Sequence, residues 1–287
     1  MTKYAQIVMG PAGTGKSTYC KLIQEHCQNL GRAVHVVNLD PAAEEFGYEV
    51  SFDVRDLISV QDVMEELEYG PNGGLIFCME YLLDNMEWLD EALDSFGDDD
   101  YLLLDCPGQI ELYSHLPIMK TVAKHLADRD FRVVGVYLMD ALFVTDAAKL
   151  LAGNLAALSA MVAMETPHIN VLTKCDLVQS DLSTVLMPSG KELAGALSDR
   201  TPPKYARLNR AFATLLDDYN MVSFVPLDAT DEDSVGYALG MVDQAIQYGE
   251  DMEPKEPRDE VDQDAVQAAS ESFASLGGGA VAAGGMG

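Results

Sequence analysis

The sequence is poor in positive charge. Its 287 residues include 18 Lys and Arg against 47 Asp and Glu, which gives a formal net charge of −29. Nucleic-acid binding depends on clustered Lys and Arg that contact phosphates, so a direct nucleic-acid partner is not expected. An anionic membrane surface would repel the chain for the same reason, so no membrane partner is expected either.

Paired cysteines and long apolar runs are also lacking. The five cysteines form no CxxC pair, so neither a disulfide framework nor a zinc site is expected, and a reducing compartment is. The longest strongly apolar run, residues 150–164, is shorter than the roughly 20 residues of a membrane span. No basic segment precedes an apolar one at the start, so we expect no secretory signal. These absences predict a cytoplasmic protein, and shuttling to the nucleus is left open.

Short apolar segments alternate with longer stretches of helical periodicity. Most of the short segments are apolar at consecutive positions, which is typical of strands buried on both faces of a parallel sheet. The predicted strands are 5–9, 33–39, 101–104, 132–139, 169–173 and 222–227. The alternation predicts an α/β fold of three layers, with a mainly parallel sheet covered by helices on both sides.

Two regions depart from this alternation. Residues 177–220 are too long for one connection and predict a helical insertion laid on the core. Residues 250–287 contain nine acidic and two basic residues and end in a Gly- and Ala-rich segment, which predicts a disordered tail. The chain is therefore expected to form one folded domain over residues 1–249. The apolar residues at helical spacing in the insertion are Tyr205, Leu208, Phe212, Leu215 and Leu216.

A glycine-rich segment follows the first predicted strand and opens a helix. Residues 10–17 read GPAGTGKS, the GxxxxGK[ST] pattern in its strand–loop–helix context. Glycines let backbone N–H groups wrap a phosphate, and the helix N-terminus adds partial positive charge. Lys16 is expected to contact the β- and γ-phosphates and Ser17 to ligate Mg²⁺. The alternative is a glycine-rich turn that matches by chance. The predicted phosphate-binding residues are Gly13, Thr14, Gly15, Lys16, Ser17 and Thr18.

Two further carboxylates end predicted strands. Asp105 follows residues 101–104 and stands where a Walker-B aspartate holds Mg²⁺ through water. Three residues on, the Gly108 N–H is expected to approach a γ-phosphate, and Gln109 to orient the attacking water. Asp40 ends the second strand before a proline, and it is either a strand terminator or a carboxylate that orients or deprotonates that water.

The segment Thr173-Lys174-Cys175-Asp176 closes the next strand and predicts a preference for guanine. The Asp176 carboxylate can accept from guanine N1–H and its exocyclic amino group together, while Lys174 lays its methylenes on the base. Adenine offers no such pair of donors. In the turn after the last strand, the Ala229 N–H is the candidate to reach guanine O6. GTP and GDP, with Mg²⁺, are thus the expected ligands.

Gly70-Pro71-Asn72 predicts a rigid, tight loop before a helical stretch. In that stretch the acidic residues form one narrow stripe, and most of the remaining circumference is apolar. Because a helix covering one sheet needs an apolar arc of only about 100°, the excess favours a subunit interface. A helix wedged deeply within its own domain is the alternative. The stripe consists of Glu80, Asp84, Glu87, Glu91 and Asp94.

With these motifs in order, residues 4–247 resemble the GPN-loop GTPases, and within them the third eukaryotic group. The resemblance rests on GPAGTGKS, VVNLDPAAE, GPNGG, DCPGQIELYSHLP and TKCD. It implies a P-loop GTPase domain that works as a dimer with a related GPN-loop subunit, a heterodimer or a homodimer. It also implies that Asn72, in the GPN loop at 70–72, reaches the partner's nucleotide and takes part in catalysis. The eukaryotic members are implicated in assembly and nuclear import of RNA polymerase II, so its subunits are expected partners.

Two other functions stay open at this point. The chain could be a nucleotide-dependent dimerisation scaffold or chaperone module with negligible hydrolysis of its own, or a small-molecule kinase. The intact Lys16, Asp105 and Gln109 favour hydrolysis over the scaffold, and the TKCD segment disfavours the kinase. No arginine finger is identified, because Arg55 is expected to pair with Asp53 or Asp56 instead.

Overall fold

The computed structural model describes residues 3–97, 100–178, 190–198, 201–219 and 222–250. The predicted tail, residues 250–287, lies outside the described residues except for Glu250. Parts of the predicted insertion, among them Arg200, lie outside them as well.

Seven parallel strands form one sheet, in the order β3-β2-β4-β1-β5-β6-β7. All six predicted strands are confirmed, with ends that differ by at most two residues, and so is the α/β fold class. The seventh, β3, was missed because it has four residues, lies at the sheet edge and is only partly buried. The strands are β1 (Lys3–Met9), β2 (Val34–Asn38), β3 (Val50–Asp53), β4 (Tyr101–Asp105), β5 (Phe131–Asp140), β6 (His168–Thr173) and β7 (Phe224–Pro226).

Helices cover both faces of the sheet. One face carries α1 and α10, which contact each other, and the other carries α3, α6 and α7. The helices of the described residues are α1 (Lys16–Asn29), α2 (Val60–Leu67), α3 (Pro71–Asp84), α4 (Met86–Leu93), α5 (Glu111–Ser114), α6 (Ile118–Asp128), α7 (Ala147–Met164), α8 (Gly190–Ser198), α9 (Ala206–Asp218) and α10 (Glu232–Ala245).

The centre of the core is β1, which pairs with β4 on one side and β5 on the other. Ala5, Ile7, Val8 and Met9 are fully buried, so consecutive side chains contact helices on opposite faces. Burying each large apolar side chain contributes about 1.5–3 kcal/mol. This strand therefore provides a rigid base for the loop that follows it.

Among the described helices, α7 alone is long and apolar enough to cross a membrane by length and composition. In this structure α7 contacts β5, α5, α6 and the helices of the insertion. Its buried face includes Leu150, Leu151, Leu158 and the polar Asn154. Its role here is that of a covering helix of the sheet.

The helical stretch after residue 70 differs from the prediction in two ways. It is two helices, because the Asn85 side chain donates to the Tyr81 carbonyl oxygen at 2.8 Å and α3 ends there. The acidic stripe is therefore not continuous. In addition, Leu82 is fully buried in the core of its own domain, so the alternative of a deeply packed helix is correct for this face.

The insertion contains helices, as predicted, but α9 presents a different face to the core. Its buried residues are Asn209, Ala213 and Leu216. Of the predicted apolar set, Tyr205, Leu208 and Leu215 are exposed, and Phe212 is partly buried. Of the five, Leu216 is buried and Phe212 packs against the core, and α9 contacts α7 and α8.

We expect the folded domain to lose stability in mild acid because of His168. Both ring nitrogens are buried, and burial lowers the pKa of His168 to about 4, below its usual value near 6.5. The unfolded chain therefore binds the extra proton between about pH 6.5 and 4, which costs the fold about 2–3 kcal/mol. Denaturant midpoints measured at pH 7 and pH 4.5 should show this loss, and His168→Gln should reduce it. An equal loss in His168→Gln would contradict the assignment.

Candidate active site

Polar side chains end the parallel strands at one edge of the sheet. Asp53, Asp105, Asp140 and Thr173 are the last residues of β3, β4, β5 and β6. The loop after β1 lies at the same edge, since the carboxyl ends of parallel strands face one way. Ligands of open α/β sheets bind in the crevice outside this edge.

The loop from Gly10 to Ser17 has a backbone that its glycines permit. Gly10, Gly13 and Gly15 have φ values of 138°, 79° and 90°. At Gly10 an added Cβ would lie 2.5 Å from the Leu138 carbonyl oxygen, so no other residue fits there. The loop leads into α1, and the first N–H groups and partial positive charge at this end of the helix can stabilise an anion.

Three charged groups converge beside the loop. The Lys16 side chain is buried, and its charge acts on the carboxylates of both Asp40 and Asp105. Burial raises the pKa of Asp105, and hydrogen bonds from Ser17 and Tyr48 together with Lys16 oppose the rise. Burial likewise raises the pKa of Asp40, against the Ala42 N–H and Lys16. A positive charge near two carboxylates is suited to holding phosphates and a cation together.

Gly108 lies directly against the glycine-rich loop. A Cβ at this position would lie 2.9 Å from Ala12 Cα and 3.0 Å from Ala12 N, both backbone atoms. The absence of a side chain therefore lets the segment after β4 reach the loop. The next residue, Gln109, is thereby brought close to the loop, and its predicted role of orienting water stays a prediction.

The structure joins Gln109 to Asn72 within one chain. Gln109 Nε2 donates to Asn72 Oδ1 at 2.9 Å, and both side chains are partly or fully exposed. The sequence predicted a separate loop at Gly70-Pro71-Asn72, and this was wrong. Pro71 is the first residue of α3 and Asn72 the second. The Asn72 side chain thus lies at a helix N-terminus, which carries partial positive charge.

Two residues at the end of β6 contact the backbone of the glycine-rich loop. The Thr173 hydroxyl lies 2.7 Å from the Thr14 carbonyl oxygen and 3.2 Å from that of Met139. Lys174 Nζ donates to the Gly13 carbonyl oxygen at 2.6 Å and pairs with Asp140 Oδ2 at 2.7 Å. Thr173 therefore contacts the loop backbone from a buried position. The Lys174 side chain therefore extends from β6 to the glycine-rich loop, and the guanine base is predicted to lie on its methylenes.

Asp176 and Ala229 lie on neighbouring exposed turns. The Cys175 N–H donates to the Leu227 carbonyl oxygen at 3.2 Å, which ties the two turns together. Asp176 is exposed in the short helical turn Cys175–Leu177, and Ala229 is exposed in the turn after β7. That turn is fixed by Asp228 Oδ1, which accepts from the Thr230 N–H at 2.7 Å. The two predicted base contacts are therefore adjacent, and both stay predictions.

The predicted metal ligands suit Mg²⁺. The Ser17 side chain lies close enough to Asp105 to lower its pKa, and Asp105 is 4% exposed. Mg²⁺ is typically held by one or two carboxylates together with substrate phosphates and water, and not by a cage of protein groups. The described residues contain no cluster of three or more His, Cys, Asp or Glu that could hold a metal. The residues present fit a phosphate-bound Mg²⁺.

The sequence did not indicate two residues of this site, Asp140 and Tyr48. Asp140 ends a buried strand before a turn, as Asp105 does, so the same signal could have found it. Tyr48 contacts Asp105, and no local pattern indicates this contact. Arg55 does pair with Asp53, as predicted, and also donates to the Ala43 carbonyl oxygen at 2.9 Å.

Comparison with known proteins identifies the family. A family model described as "conserved hypothetical ATP binding protein" matches residues 8–248. A GPN-loop GTPase 3 from Mycosarcoma maydis is 51% identical over 273 residues, which cover 90% of this chain and 97% of that protein. One from Dictyostelium discoideum is 50% identical, covering 90% and 92%. The crystal structure of an apo GTPase from Pyrococcus abyssi has a TM-score of 0.71 at 22% identity, covering 84% of this chain and 97% of that one, and so shares the fold. The chain belongs to the GPN-loop GTPase family.

Proposed function

We propose that this chain binds GTP and hydrolyses its β–γ phosphoanhydride, acting as a GTP-dependent switch. The observation that carries this proposal is the convergence of Lys16, Asp40 and Asp105 beside the glycine-rich loop. Gln109 is held close by, through the approach of Gly108 to Ala12. Its relatives carry the name GTPase, which supports the same activity.

Guanine is proposed over adenine, although the matching family model is described by ATP binding. The support is the exposed Asp176, because a carboxylate can accept two hydrogen bonds from guanine and none of that pair from adenine. Lys174 is fixed at its Nζ by Gly13 and Asp140, so its methylene stem is presented as a surface on which a base can lie.

Each side chain has a separate task in the proposed reaction. Lys16 and the loop N–H groups bind the β- and γ-phosphates, and Ser17 and Asp105 would hold Mg²⁺, which neutralises the charge that develops on them. Gln109 orients the attacking water, and Asp40 accepts its proton or fixes its position. The chain contributes positioning and charge stabilisation, since phosphoryl transfer needs little covalent chemistry from the protein.

A single-turnover GTP hydrolysis assay tests the activity and its alternatives. Excess protein with labelled GTP and Mg²⁺ should produce GDP and inorganic phosphate, and Lys16→Ala should abolish this. Binding without turnover at every protein concentration would identify the nucleotide-dependent scaffold. Transfer of label to a third molecule would identify a kinase.

We also propose that the chain works as a dimer with a related GPN-loop subunit. Besides the resemblance, an exposed apolar surface on α2 and α3 supports this. Tyr69, Phe77 and Tyr81 form an aromatic ridge with ring centroids 5.7 and 6.4 Å apart. Tyr69 and Tyr81 are 46% and 39% exposed, and Met64 and Leu67 extend the surface. The ridge shares α3 with Asn72, so a partner seated there would lie close to the GPN segment.

Tyr81→Glu should break this dimer while leaving the fold intact, because Tyr81 is exposed in the chain alone. Light scattering of the purified protein, with and without the related subunit, measures the change. Tyr237→Glu on α10, across the sheet, is the matched control, since Tyr237 is also exposed. Leu82→Lys is unsuitable, because Leu82 is buried and the variant would unfold. A wild-type chain that stays monomeric with its candidate partner and hydrolyses GTP fully would contradict the dimer.

We propose further that the clients are RNA polymerase II subunits, in assembly and nuclear import, and that the chain is cytoplasmic and shuttles to the nucleus. The support is the resemblance and the strongly acidic composition, which disfavours direct contacts with nucleic acid and membranes. Purification from native extract, with identification of stoichiometric partners, tests this. Recovery of a GPN-loop subunit without polymerase subunits would contradict the client but leave the dimer standing.

A further inference from the structure

A tyrosine from outside every recognised motif contacts the predicted metal aspartate. The Tyr48 hydroxyl donates to Asp105 Oδ2 at 2.8 Å. Tyr48 lies between β2 and β3, in the segment that follows Asp40. The two residues are 57 positions apart in the sequence, so the contact is a property of the fold.

The segment that carries Tyr48, which we call the strap (residues 43–49), is held at its start by Arg55. The Arg55 guanidinium donates to the carbonyl oxygens of Ala43 and Glu44 at 2.9 and 3.2 Å. It also lies 4.6 Å from the centre of the Phe46 ring. Asp53 fixes Arg55 through a hydrogen bond from Nε at 2.8 Å and one from Nη2 at 2.6 Å.

The end of the strap is held by α1. Gln24 Nε2 donates to the Glu49 carbonyl oxygen at 2.9 Å, and the Glu49 N–H donates to Gln24 Oε1 at 3.1 Å. Gln24 is buried, so this pair is a fixed attachment. Tyr48 is next to it in sequence, and its ring contacts Phe46 at 5.3 Å. The strap is therefore attached before and after Tyr48, and these attachments hold the Tyr48 hydroxyl at Asp105.

We propose that Tyr48 is a positioning residue of the metal site. In the metal-free chain its hydroxyl binds Asp105 at the position that a magnesium-bound water would occupy, and it is displaced when Mg²⁺ binds with nucleotide. The inference rests on the proposed function. Asp105 is 4% exposed, so the Tyr48 hydroxyl supplies a donor that water cannot readily supply there. Mg²⁺ keeps several waters, and these need the same carboxylate oxygens.

Displacement makes Tyr48 a determinant of metal affinity. The wild-type chain gives up a hydrogen bond to a carboxylate each time Mg²⁺ binds, and a chain without the hydroxyl does not. Tyr48→Phe should therefore bind Mg²⁺ about 10- to 100-fold more tightly at saturating GDP. Its affinity for GDP in EDTA should equal that of the wild type, since Tyr48 contacts no predicted nucleotide ligand other than Asp105.

The experiment measures fluorescent GDP affinity across a Mg²⁺ titration and Mn²⁺ binding by electron paramagnetic resonance. Tyr48→Phe keeps the ring and removes only the hydroxyl, and thermal unfolding confirms that it is folded. Tyr237→Phe is the matched control, because Tyr237 is exposed on α10. In an Asp105→Asn background, Tyr48→Phe should have no further effect on metal affinity, since the charged acceptor is gone.

A second measurement does not depend on a variant's folding. Fluorotyrosine placed at position 48 of the otherwise wild-type chain should shift its ¹⁹F resonance when Mg²⁺ is added to the GDP-bound protein. An unchanged resonance, or equal or weaker Mg²⁺ affinity in Tyr48→Phe, would overturn the inference while GDP binding left the proposed function intact. A wild-type chain that binds no guanine nucleotide would overturn both.

Discussion

Gln109→Leu should lower the single-turnover rate of GTP hydrolysis by about 100- to 1000-fold, the loss typical of one transition-state donor. Nucleotide affinity should stay within about twofold of the wild type. A residue that orients the attacking water contributes only in the transition state, so the rate falls and ground-state binding does not. Rapid quench with labelled GTP gives the rate, and fluorescent GTP analogues give the affinity.

A variant of Asn72 also tests whether Gln109 acts in the transition state. Because Gln109 Nε2 donates to Asn72 Oδ1, the two amides act as one unit in the chain alone. Asn72→Ala should impair hydrolysis more than nucleotide binding, and the double variant should be little slower than Gln109→Leu by itself. Gln28→Leu, at the exposed far end of α1, is the matched control. Equal losses of affinity and rate in Gln109→Leu would assign it to ground-state binding instead.

Asp176→Asn should change the preferred base of the site from guanine to xanthine. The lost pair of hydrogen bonds from guanine to a carboxylate should weaken GTP binding by about 2–4 kcal/mol, which is about 30- to 1000-fold. Xanthosine triphosphate should bind the variant better than the wild type, because an asparagine amide can donate to the xanthine C2 carbonyl. Competition against a fluorescent guanine nucleotide measures both affinities.

The control for this exchange is Asp128→Asn, which removes an exposed carboxylate at the end of α6. It should leave both affinities unchanged. Since Asp176 is itself exposed, a general change of surface charge would affect the two variants alike. A variant Asp176→Asn that still binds GTP as tightly as the wild type would show that the TKCD segment does not select the base.

The positions of the buried strands along the chain and the identity of the glycine-rich loop were predictable from the sequence. Strands of a central parallel sheet are apolar at consecutive positions, and this pattern is local, as in the fully buried residues of β1. The loop after β1 needs backbone conformations that glycine adopts most readily, so its glycines mark it in the sequence. Asp105 was predictable for a similar reason, because it directly ends a buried strand.

Features that are weakly buried or that depend on one side chain were not predictable. The edge strand β3 is only partly buried and therefore lacks the continuous apolar pattern of its neighbours. The break at Asn85 depends on one side chain that reaches back to the Tyr81 carbonyl oxygen, in competition with further helical hydrogen bonds. Helical periodicity alone gave no sign of either feature.

The sequence by itself therefore determined the fold class, the family and some of the residues at strand ends, such as Asp105 and Thr173. Only the tertiary structure decided which of them touch: Tyr48 with Asp105, Asn72 with Gln109, and Lys174 with Asp140. These pairs are 57, 37 and 34 positions apart. Asp105 and Asp140 end parallel strands and Lys174 follows one, so these three meet at one edge of the sheet, whereas the segment before β3 and the start of α3 bring Tyr48 and Asn72 there. A local pattern records that a residue ends a strand, but the partner it meets depends on the strand order and on the loops between.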